Sequence, residues 1–101
     1  MKYIKNKLTI EKISIQNIAK RFGTPSYCYS HNQLKKNIIN FKKSFKSFSP
    51  LICFAIKSNT NVSLIKEIKK FGLGADVVSM GELMIALKAG INPKKIVFSG
   101  V

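Results

Sequence analysis

The chain has 101 residues, 46% of them hydrophobic, and a formal net charge of +14 from 18 basic and 4 acidic residues. That length holds one modest core, and no apolar run approaches the roughly 18–20 residues that cross a bilayer, so no membrane partner is expected. Nor is a nucleic-acid partner: Arg21 is the one arginine, whereas base and phosphate readers favour arginine's bidentate fork, and the lysines are dispersed over prospective helix faces.

Met1 to Ile13 is basic and alternates weakly, which fits an extended arm or a short edge strand. No apolar core or small-residue cleavage site follows it, so a secretory signal is not expected and the cytoplasm is the expected compartment. Ser14 caps a short helix that Gly23 closes, with Ile15, Ile18, Ala19 and Phe22 on one face. Thr24-Pro25 breaks it, and Ser26–Tyr29 has the β-propensity of a short strand. Ser30 and Gln33 form a capping box for a helix running to about Ser47, with Leu34, Ile38, Phe41 and Phe45 as its stripe. Lys35, Lys36, Lys42 and Lys43 form its solvated face, and His31 is a surface residue at its start. Cys28 and Cys53 make no C-x-x-C pair and, with a single histidine, give no zinc set. They read as free, buried thiols in a reducing compartment.

Leu51 to Ile56 is an unbroken apolar run, the pattern of a strand buried on both faces. Lys57 follows it, at the C-terminal end where parallel α/β folds gather ligands and catalytic groups. A desolvated lysine there suits Schiff-base chemistry, because burial disfavours the ammonium and frees a nucleophilic amine. With 17 lysines in the chain, a strand-end lysine pointing into water is the plain alternative.

Asn61 caps a helix running to about Phe71, which Gly72 stops. Ala75–Val78 is a second strand. Ser79 and Glu82 form a second capping box, and a helix follows to Ala89. After Gly90 and the Asn92-Pro93 turn, Lys95–Phe98 is a third strand. The order β-α-β-α-β predicts parallel strands joined by right-handed crossovers. No G-x-G-x-x-G or Walker motif follows any strand, so neither a dinucleotide site nor a P-loop is supported. The fold class expected is α/β, the opening units of a (β/α)8 barrel. A whole barrel takes roughly 250 residues, so the sequence is expected to be the first part of something longer.

Several segments resemble one family in order and spacing. Phe22–Tyr29 resembles the "YGTPLYVY" opening of the diaminopimelate decarboxylases. Phe54–Asn59 resembles their "YAVKAN" segment, and Gly72–Leu83 resembles "GLGFDVVSGGEL", with Met80 and Ala75 as departures from the usual glycine and phenylalanine. Ala89-Gly90, Pro93 and Ile96–Phe98 continue the likeness, which covers about positions 8 to 101.

The resemblance implies an alanine-racemase-like barrel of fold type III, here incomplete, with residues 1–30 as an arm, short helix and strand leading into residues 31–101. It implies pyridoxal 5′-phosphate as cofactor, with Lys57 as the lysine that bonds it. It implies decarboxylation of meso-2,6-diaminoheptanedioate to L-lysine, with the full-length enzyme a homodimer. Ornithine, arginine or carboxynorspermidine decarboxylation, or a non-catalytic remnant, are the alternatives. Asp76 matches an aspartate near the cofactor lysine in related decarboxylases, although a strand-end aspartate serving a backbone turn is an equal reading. Glu82 is expected to be a capping residue. The phosphate cradle, the ring-stacking histidine, the acidic partner of the ring nitrogen and the partner-subunit cysteine match nothing in these 101 residues, which alone are expected to show no decarboxylase activity.

Overall fold

A computed structural model describes residues 1–45 and 47–101. Contacts divide the chain into two compact units, residues 1–44 and 45–101.

The first unit opens with a three-stranded antiparallel meander: β1 (Lys2–Ile4), β2 (Lys7–Ile10) and β3 (Ile13–Ser14). Where an extended arm or a short edge strand is expected at Met1 to Ile13, the chain therefore forms a folded sheet. Both connections are two-residue loops, fixed by the pairs Ile4↔Lys7 and Ile10↔Ile13. Lys5 and Asn6 in the first, and Glu11 and Lys12 in the second, all have positive φ. That is the pattern of type I′ turns, whose twist matches that of the paired strands. Thr9, buried in β2, donates its hydroxyl to the Lys2 carbonyl at 2.8 Å.

Helix α1 (Ile15–Phe22) starts where the Ser14 hydroxyl accepts the Asn17 N–H. Ser26–Tyr29, expected as a strand, lies outside both sheets. Its β-propensity finds no partner strand, and propensity without cross-strand pairing does not make a strand. Cys28 is free but exposed, against the expectation of burial.

Helix α2 (His31–Lys43) starts at Ser30, whose hydroxyl accepts the Gln33 N–H at 3.0 Å. The reciprocal half of the predicted capping box is not made, because the Gln33 side-chain amide donates to Asn37 instead. Glu11 takes its place from the β2–β3 turn. Its Oε1 accepts the Ser30 hydroxyl at 2.5 Å and the Asn32 N–H at 2.6 Å. A carboxylate here also complements the positive end of the helix. The helix ends at Lys43, earlier than expected. The Ser44 hydroxyl turns back to the Asn40 carbonyl, a local bond that competes with helix continuation. The part of the expected helix that falls on Lys46 lies outside the described residues.

In the second unit, β4 (Cys53–Ala55), β5 (Gly74–Val77) and β6 (Ile96–Phe98) form a parallel sheet in that order. Helix α3 (Val62–Lys70) joins the first pair and α4 (Met80–Lys88) the second. Asn61 caps α3 by accepting from the Ser63 and Leu64 N–H groups. Ser79 caps α4 by accepting the Glu82 N–H. Gly72 and Gly90 follow these helices with φ of +80° and +82°, left-handed conformations that a side chain would resist.

The core packs one face of the sheet against these helices. Ile56, Ile65, Ala75, Val77, Ala86 and Ile91 are buried together, with Phe54, Leu83 and Ile96 against them. Ala75 and Val77 face the helices, so strand alternation turns Gly74 and Asp76 to the opposite face. The register adds Cys53, Ala55 and Val97 to that second face.

Gly74 sits where strands approach closely. A Cβ built there would lie 2.1 Å from the Lys95 carbonyl oxygen and 3.0 Å from Cys53 Sγ. Gly74→Ala is therefore expected to destabilise the protein by about 1–3 kcal/mol through overpacking. Urea unfolding checks this, as a lower midpoint at unchanged slope.

A second prediction concerns Glu11. The Ser30 hydroxyl, then the Asn32 N–H, hold its carboxyl below the ordinary value of 4.5, with His31 adding to the shift. A folded-state value below the unfolded one means that its contribution is present above 4.5 and is lost as pH falls through the lowered value. Glu11→Gln should remove that part of the acid dependence, measured as the difference in unfolding midpoint between the two proteins across the acid range.

Candidate active site

The strand β4 is shorter than the apolar run suggests. After Ala55 the chain closes a turn over Ile56–Ser58. The Ser58 hydroxyl donates to the Ala55 carbonyl at 2.7 Å, and the Asn59 N–H donates to the Ile56 carbonyl at 3.0 Å. Within this turn Ile56 is fully buried and Lys57 is exposed. Of the two states weighed for this lysine, desolvated or pointing into water, the structure has the second, an amine open to approach. The reason is that strand pairing ends at Ala55 and the turn carries Lys57 off the sheet.

Asp76 lies on β5, half-buried, with Ala55 as its register partner on β4 and Val97 on β6. It is on the sheet face opposite the helices. Its Oδ1 accepts the Ser99 hydroxyl at 2.5 Å. A link to a side chain 23 residues away differs from the backbone-turn role weighed for it. No ion pair joins Asp76 to Lys57 among the described residues. What they share is the C-terminal end of the parallel sheet, with Lys57 two residues beyond the register partner of Asp76.

Cys53 is half-buried on the same face. Desolvation, then the nearby Asp76 carboxylate, push its thiol above the ordinary range, so it is a poor nucleophile. Glu82 is occupied structurally: its Oε2 accepts the Val78 N–H at 2.9 Å while its own N–H bonds Ser79 Oγ. It acts as the predicted capping box does, shifted by one donor. Ser99 was not singled out from the sequence, and no local signal marks it. Its partner becomes visible only through the parallel register.

The first unit contains an apolar cleft of about 320 Å³ lined by residues including Ile10, Ile18, Phe22, Tyr27 and Cys28. None of the candidate site residues lines it. No cluster of three or more potential metal ligands occurs among the described residues.

An accessible primary amine and a carboxylate, set at the ligand-binding end of a parallel sheet, form a donor set suited to an aldehyde-bearing cofactor. The family whose sequence model describes the pyridoxal-binding domain of pyridoxal-dependent decarboxylases matches residues 31–101. The chain belongs to that family. Among individual relatives, it is 45% identical to the diaminopimelate decarboxylase of Aquifex aeolicus over all 101 residues, which are 24% of that protein. A crystal structure from Aquifex aeolicus, also 45% identical, superposes with a TM-score of 0.93 over 99% of this chain and 25% of the other. Diaminopimelate decarboxylase from M. jannaschii gives 0.92 at 34% identity, covering 98% and 24%. The Helicobacter pylori enzyme complexed with L-lysine gives 0.79 at 43% identity, covering 85% and 22%. The chain spans about a quarter of the length of the curated relatives it matches. Its fold is the N-terminal portion of a (β/α)8 pyridoxal-binding barrel.

Proposed function

We propose that this chain is the lysine-bearing part of a diaminopimelate decarboxylase, which converts meso-2,6-diaminoheptanedioate to L-lysine and carbon dioxide. The observation that carries the reading is likeness along the whole chain to enzymes of that name, two of them with structures that hold L-lysine. Under this reading the substrate is a small amino acid, and the full-length protein is a cytoplasmic homodimer. No helix among the described residues is long and apolar enough to cross a membrane.

Lys57 would hold the cofactor through Nζ, which the exposed turn leaves reachable. Asp76 supplies a negative charge at the same end of the sheet, which favours the protonated state of an amine brought near it. When bound, pyridoxal 5′-phosphate supplies the electron sink for the pair left behind by carbon dioxide. With the substrate in place, Lys57 Nζ would hold the proton that the substrate α-carbon takes up.

The test uses the full-length protein supplied with pyridoxal 5′-phosphate and diaminopimelate, with ornithine and arginine as competing substrates. Release of carbon dioxide and L-lysine from diaminopimelate, well above turnover of the competitors, is expected. Preference for a competitor would overturn the substrate assignment. Lys57→Ala should lower kcat by at least the roughly 10²–10⁴-fold associated with losing an acid–base group, and it should also lose retained cofactor through gel filtration.

A further inference from the structure

Resting on the decarboxylase reading above, we propose that Ser99 is a positioning residue that sets the orientation of the Asp76 carboxylate at the mouth of the site. Ser99 follows β6 and grips the end of β5 by two bonds. Its N–H donates to the Val77 carbonyl at 3.0 Å, extending the parallel ladder by one step. Its hydroxyl donates to Asp76 Oδ1 at 2.5 Å. Alternation from Val97 puts Ser99 on the same face as Asp76. The backbone bond fixes where the hydroxyl stands, and the hydroxyl fixes the carboxylate.

The contact has the length of a charge-assisted O–H···O⁻ bond. The single hydroxyl proton is spent on Oδ1, while Oδ2 accepts no hydrogen bond among the described residues. Asp76 therefore keeps one oxygen for a cationic group, and the hydroxyl limits the rotation that would turn this oxygen away. On its other side Asp76 has Ala55 as register partner, whose side chain neither donates nor accepts. Cys53 is near enough for the carboxylate to raise its thiol, but its Sγ is directed to the Lys95 carbonyl at 3.8 Å. Ser99 is thus the one residue seen to orient this carboxylate among the described residues.

The experiment compares Ser99→Ala, Ser99→Thr, Asp76→Asn and the double variant Asp76→Asn/Ser99→Ala in the full-length protein. Four quantities are measured: kcat/KM against pH, the apparent Kd for pyridoxal 5′-phosphate, and the melting temperature with and without cofactor. Loss of one charge-assisted bond predicts a fall of about tenfold in kcat/KM for Ser99→Ala with an altered pH profile. Ser99→Thr, which keeps the hydroxyl, should stay within about threefold of wild type. The double variant should be no worse than Asp76→Asn alone, because Ser99 acts through Asp76. Three results would overturn the proposal: additive effects of the two substitutions, no rescue by threonine, or losses that follow melting temperature with the pH profile unchanged. A wild-type protein that neither binds the cofactor nor decarboxylates would instead overturn the underlying functional reading. A working wild type with additive variants would sink the positioning role alone.

Discussion

Ile56 is fully buried among Ile65, Ala75, Val77, Ala86 and Ile91, and the next residue is Lys57, the lysine proposed to bond the cofactor. Burying an isoleucine side chain contributes about 1.5–3 kcal/mol, and cutting it to alanine would cost about 2–5 kcal/mol. That anchor leaves little freedom for the turn that starts at Ile56. The Ser58–Ala55 and Asn59–Ile56 hydrogen bonds close it, and Lys57 emerges at the end of β4. Core packing and the placement of the amine are thus one constraint. The same hydrophobic contacts that hold the sheet to its helices bury Ile56 and leave Lys57 exposed.

The parallel register does the equivalent for Asp76. Pairing Ala55 with Asp76 and Asp76 with Val97 sets the carboxylate on the face away from the helices and within reach of Ser99. Close strand approach at Gly74, against the Lys95 carbonyl and Cys53, keeps that register tight. A one-residue slip would turn Asp76 into the apolar core and Ala75 out of it, so the core's composition protects the polar face.

Much of this arrangement was legible in the sequence, for local reasons. Ser14, Ser30, Asn61 and Ser79 cap their helices, and each bond spans only two or three residues. The alternation of strands and helices after Leu51 carries the parallel topology with it. The illegible parts are non-local or depend on unusual backbone. The residues of the meander suggest no more than an arm or a short edge strand, because its turns use Lys5-Asn6 and Glu11-Lys12, without the glycine that usually announces a type I′ turn. The cap that Glu11 gives to α2 joins residues about twenty positions apart, as does Ser99 with Asp76. Ser26–Tyr29 shows the reverse error, since its residues suit a strand but no neighbouring strand receives them. At Lys57 the position at the end of the strand was readable, but the choice between a desolvated amine and one pointing into water was not, because that depends on where pairing stops.

Under the proposed function, Lys57 is the one lysine of 17 that bonds the cofactor. The most direct measurement is to incubate the full-length protein with pyridoxal 5′-phosphate, reduce with borohydride, and map the modified lysine by peptide mass spectrometry. A single modified site at Lys57 is the predicted result. Modification concentrated on another lysine, or none above the background of surface amines, would contradict the account.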